Sequence, residues 1–170
     1  MACDITIGRD RACKDGLGGN STLYLYNELS DAFTVLNGEA TAMNVLLTAA
    51  FAFPLEGDGN TLEQSMVSDR NTGTKVNTQT LTVMLKNMDA ATSAEFNLLA
   101  AGYPQAVVVD RNGNHHAIGL DDGIDFTVLA STGGAKTDMN GYTLTGVATT
   151  TDIAPILDDS TVLAFEAVVS

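Results

Sequence analysis

Basic residues are scarce in this chain. Lys and Arg number 8 against 21 Asp and Glu, for a formal net charge of −13. The acidity is no tail: residues 1–85 carry 10 acids and 5 bases, and residues 86–170 carry 11 and 3. Tight binding to nucleic acid needs clustered Lys and Arg to displace counterions. A chain of the opposite sign should repel DNA rather than grip it, and solubility is the simplest use of such a charge. There is no Trp and only 6% aromatic residues, which argues against a stacking platform for sugars or bases. The only histidines, His115 and His116, are adjacent. Neighbours on a strand point to opposite faces, so the pair is unsuited to one metal and reads as hairpin surface. Two cysteines, Cys3 and Cys13, cannot complete a usual zinc site. The opening MACDITIGRDRACKD is polar and lacks the apolar stretch of a secretion signal, so free thiols are expected rather than a bridge. Long apolar runs are missing too. NVLLTAAFAFPL, Asn44 to Leu55, ends at a proline and falls short of the ~18–20 residues of a membrane span. No membrane insertion is expected.

What remains is ample for a core. The 170 residues are 45% hydrophobic and 17% charged, which suits one domain over 1–170. Thr, Val and aromatic residues dominate the periodic segments and favour strands. STLYLYNEL, Ser21 to Leu29, alternates Leu23 and Leu25 against Tyr24 and Tyr26. TKVNTQTLTVMLKNM, Thr74 to Met88, alternates for most of its length, polar at its start and apolar at its end. Such a strand should leave the core at its polar end as an extended hairpin arm. MDAATSAEFNLLAAG changes period: Asp89 is a candidate N-cap, and Phe96 and Leu99 share a helical face. A helix this short must lie on a sheet. In QAVVVDRNGNHHAIG, Asn112-Gly113 predicts a tight turn between strands Ala106–Asp110 and His115–Gly119. GIDFTVLAS, MNGYTLTGVATT and STVLAFEAVVS supply three more strand candidates. The reading is mainly β, with about eight strands and one short flanking α-helix. Residues 30–74, weaker in period and rich in Gly, Asn and Asp, are expected to form an extended loop or arm.

The residues offer no chemistry above background. DRNGN and DDGID look like fragments of calcium loops, but neither continues to the Glu at the twelfth position of an EF-hand. Turn chemistry explains their Asp, Asn and Gly. GLGGN precedes a strand, whereas a dinucleotide fingerprint follows one and opens a helix. No Ser or Cys has an activating context. No catalytic, cofactor-binding or metal residue is predicted, and the chain is not expected to be an enzyme.

Four pieces in order carry a family likeness: the opening CDITIGRDRACKDGLGGNSTLYLYNE, then LEQSMVSDRNTGTKVNTQTLTVMLKNMDAATSAEFNLLAAG, the hairpin VVVDRNGNHHAIGLDDGIDF, and STGGAKTDMNGYTLT. Together they span Cys3 to Thr145, and the chain resembles the tail tube (major tail) proteins of tailed bacteriophages. Leu29 to Thr61 departs from the pattern, and Val147 to Ser170 matches weakly. The resemblance implies a β-sandwich or barrel-like domain with one flanking helix. It implies usually hexameric rings, stacked into a hollow tube whose bore is lined by a continuous β-barrel. Its partners would be further copies of itself and other tail proteins: the terminator, the baseplate or hub, and a sheath where one exists. DNA would pass through without specific binding. The place would be the virion tail, after assembly in the host cytoplasm. On this view Thr74 to Met88 lines the bore, through Val76, Asn77, Thr78, Gln79, Thr80 and Thr82. The basic cluster Arg9, Arg11 and Lys14 would lie at an inter-subunit contact. Two other readings stay open: a capsid decoration or tail-completion protein, and a non-viral β-sandwich binding module.

Overall fold

A computed structural model describes residues 4–170. Among the described residues eleven strands form two sheets, with two short helices. The first sheet has seven strands in the order β2 (Phe33–Leu36), β3 (Glu39–Met43), β11 (Ile156–Leu157), β8 (His115–Ile118), β7 (Gln105–Asp110), β1 (Asn20–Tyr26) and β4 (Phe51–Pro54). The second has four, in the order β5 (Thr61–Asp69), β6 (Thr74–Lys86), β10 (Gly141–Thr150) and β9 (Asp125–Ser131). Helix α1 spans Ala90–Ala101 and α2 spans Asp159–Glu166. Both sheets have free edges, so the fold is a sandwich and not a closed barrel.

Alternation of side chains builds the layers. Leu23 and Leu25 of β1, with Ala106 and Val108 of β7, face the second sheet and meet Leu81, Val83, Phe126 and Leu144 in one core. Tyr26 and Val107, from the same strands, point the other way into a second core with Phe33, Ala117 and Phe165. β7 is thus buried on both faces, which is why QAVVVD reads as a nearly unbroken apolar run. Helix α1 starts at Asp89, whose carboxylate accepts the Thr92 N–H at 2.7 Å. It seats Phe96 edge-on against the Tyr142 ring, 4.8 Å between centroids. Leu99 packs half-buried on the same core.

Four expectations are corrected. STVLAFEAVVS does not form a strand: Asp158 accepts the Thr161 N–H at 2.7 Å and opens α2, and Phe165 is fully buried under the first sheet. Residues 30–74 are not a loop, since β2, β3, β4 and β5 lie within them. Only the far end of the β5–β6 hairpin, with Val67 and Val76 exposed, projects as an arm. In the β7–β8 turn only Gly113 has a positive φ, 89°. The turn spans four residues because the Asp110 carboxylate accepts the N–H groups of Asn112 (2.8 Å) and Asn114 (2.9 Å). Finally, His115 is not surface: it is buried and stacks on Tyr24 with ring centroids 6.4 Å apart.

Candidate assembly surface

The outer face of the four-stranded sheet is the most distinctive surface on the molecule. Register places Thr61 beside Thr82, Thr82 beside Thr145, and Thr145 beside Thr127. One threonine row therefore crosses all four strands, with neighbours ~4.8 Å apart by strand spacing. Thr80, flanked by Glu63 and Val147, forms the next row, and Thr78, flanked by Ser65 and Thr149, the one after. Side chains on this face are exposed or half-buried. The carboxylates among these rows are Glu63 and Asp125. Lys86, at the end of β6, pairs with Glu56 at 3.7 Å.

The edges of this sheet differ from those of its partner. β5 and β9 are edge strands of nine and seven residues, and neither contains Pro or Lys. In the first sheet the edges β2 and β4 have four residues each, and β4 ends in Pro54. Short strands and prolines are the usual protection of a sheet edge. The four-stranded sheet carries neither, although helix α1 lies against β9 and both edge strands bear carboxylates.

The structure divides the six residues expected along a bore. Val76 is exposed, and Thr78, Thr80 and Thr82 are half-buried, all on the outer face. Asn77 and Gln79 face inward and are 0% and 2% exposed, so they cannot line a bore. Asn77 Nδ2 and both ends of the Gln79 amide are hydrogen-bonded inside the sandwich, while Asn77 Oδ1 is buried without a protein partner among the described residues. Asn77 Nδ2 donates to Gln64 Oε1 (3.1 Å) and to the Asp152 carbonyl (2.9 Å), and Gln79 Oε1 accepts the Gly119 N–H at 3.0 Å. This ties β5 and β6 to the loops at one end of the first sheet.

Arg9, Arg11 and Lys14 stand on an exposed N-terminal segment, and no ion pair forms at any of them among the described residues. Cys13 is exposed; Cys3 lies outside the described residues, and with it the expectation about the pair. Asp110 is committed to its own turn. Burial opposes its charged form, but hydrogen bonds from Asn114, His116 and Asn112 outweigh that and hold it below the usual carboxylate range. Among the described residues no three His, Cys, Asp or Glu side chains gather as a metal site. No described helix is long and apolar enough to cross a membrane. The identity of the edge strands, and the threonine rows that cross all four strands, are not legible in the sequence, because both depend on which strands become neighbours.

The chain matches no protein-family model, no curated protein and no solved structure. What the geometry defines is an open two-sheet β protein with a hydroxyl-rich face flanked by two long edge strands.

Proposed function

We propose that the chain is a structural virion protein that assembles into stacked, hexameric rings forming a phage tail tube. The observation that carries this reading is the pair of long edge strands, free of Pro and Lys, that flank the threonine face. Strands in this sheet alternate in direction, so β9 of one copy lies antiparallel to β5 of the next when copies are arranged around an axis along the strands. β5 and β9 are different surfaces, and a repeated contact between unlike surfaces closes into a ring when its rotation allows. Closure pairs most of the edge backbone groups of β5 and β9. The threonine face then lines the bore, with Glu63 and Asp125 as its carboxylates. Hydroxyls hold water, and negative charge repels phosphate, so a duplex slides without sticking. The chain is a conduit wall and needs no catalytic residue.

Negative-stain electron microscopy of the purified protein tests the reading. Rings or hollow tubes support it. A stable monomer at high concentration overturns it.

A further inference from the structure

Edge strand β4 and helix α1 enclose a groove of about 550 Å³. Its floor belongs to the main core. Phe53 lies against Phe96, with 6.0 Å between ring centroids, and Phe96 is locked edge-on to Tyr142. Its walls stay in water: Phe51, Leu98 and Tyr103 line it and are 50%, 68% and 61% exposed. Such apolar surface gathered in one concave place marks a binding site. Tyr103 is fixed from behind. A Cβ on Gly123 (φ 77°) would strike the Tyr103 backbone, and the Ile124 N–H donates to the Pro104 carbonyl at 2.9 Å. The groove is therefore preformed, and its volume falls among pockets for small ligands, roughly 300–1,000 Å³.

Charge selects among such ligands. Glu28 and Glu95 line the groove, and neither has an ion-pair partner among the described residues. No Lys or Arg among the described residues lines it. Aromatic faces attract a cation placed within about 6 Å of the ring centre. Two free carboxylates add to that attraction, whereas an anion would meet only repulsion. A second copy suits this rim poorly, because the chain carries 21 acids against 8 bases and most of its faces would bring more carboxylates. An added strand also suits it poorly, since β4 has four residues and ends in Pro54. A larger cavity of about 780 Å³ has carboxylates too, but two of them are engaged: Asp152 pairs with Lys75 and Asp121 accepts the Thr151 N–H.

We infer that the β4–α1 groove binds a small organic cation, an ammonium group on an apolar body. The body packs between Phe51, Leu98 and Tyr103, and the charge sits beside Glu28 and Glu95. Both halves are needed for recognition. The site uses no residue of the threonine face, so it stands whether or not copies form rings.

Ligand-observed saturation-transfer NMR on the whole chain tests this, since it reads monomers and assemblies alike. The probe is 4-phenylbutylamine. Two probes of the same shape serve as controls, the neutral 4-phenylbutanol and the anionic 4-phenylbutyrate. The amine should bind with a Kd of about 1 mM. It should bind about fivefold more tightly than the alcohol at low salt, and the acid should not bind. Glu28→Gln with Glu95→Gln should remove the amine's advantage and leave the alcohol unchanged. Phe51→Ala with Leu98→Ala should weaken amine and alcohol alike, by about tenfold. All four positions are exposed, so circular dichroism should match wild type. No transfer to the amine at about 10 mM overturns the inference. So does equal binding of all three probes, which would mean that charge plays no part. Amine binding untouched by both double variants overturns it as well, because the ligand would then sit elsewhere.

Discussion

Phe96 joins α1 to the sandwich. It is 3% exposed, lies edge-on to Tyr142, and sits 6.0 Å from the ring of Phe53. Phe96→Ala should lower unfolding free energy by about 3–5 kcal/mol, read from a urea transition. A loss under about 1 kcal/mol would mean that the helix is not held through this ring. Gly141 is a second point of intolerance, because a Cβ there would strike the Leu85 carbonyl on the neighbouring strand. Asp89 allows a test against pH. The Thr92 N–H and hydroxyl hold its carboxyl below the ordinary 3.8. A depressed folded value means stabilisation that is full above 3.8 and lost as pH falls through the folded pKa. Wild type should therefore melt above an Asp89→Ala variant at pH 7, and the gap should narrow below 3.8. A gap unchanged down to pH 3 would show that the cap makes no charged hydrogen bond. Asn77 and Gln79 mark a limit of legibility at this scale. Parity grouped them with Leu81 and Val83, which are buried, while their polarity pointed to water. Parity won because Gln64 and Gly119, distant in sequence, supply the hydrogen bonds.

Element by element, legibility follows length and neighbours. β6, α1, β9 and β10 have strong periods and lie where the sequence predicts them. β2, β3 and β4 are four or five residues long, too short to show a period, and they were hidden in the presumed loop. α2 was read as a strand because Thr, Val and Phe favour strands, yet the Asp158 cap and the burial of Phe165 decided for helix. The same view identifies the right strands to perturb. A proline at Thr80 would break β6, which has partners on both sides, and so would damage the fold itself. Edge strand β9 is the better target. Thr127→Lys with Leu129→Lys places two charges on exposed positions of that edge. Circular dichroism should be unchanged and assembly should be lost. Thr143→Lys, on the same face but on interior strand β10, should still assemble. If the β9 double variant assembles like wild type, the lateral contact is not edge pairing.

At the scale of the whole molecule, shape and charge work together. The four-stranded sheet has a long edge strand on either side, β5 and β9. Under the proposed reading these two edges close the ring. The net charge of −13 opposes close packing of copies, and screening by salt should ease it. Polymer yield, read by light scattering, should rise from low to physiological ionic strength if lateral pairing dominates. A yield that falls instead would show that attraction between unlike charges holds the copies together. The central claim is that the threonine face forms the wall of a bore. Electron cryomicroscopy of the assembled protein tests this most directly. The account predicts rings or tubes in which β5 of each copy lies beside β9 of the next, with Thr78, Thr80 and Thr82 facing a water-filled lumen. Monomers that stay dispersed at high concentration, or a lumen lined by Lys and Arg, would contradict it.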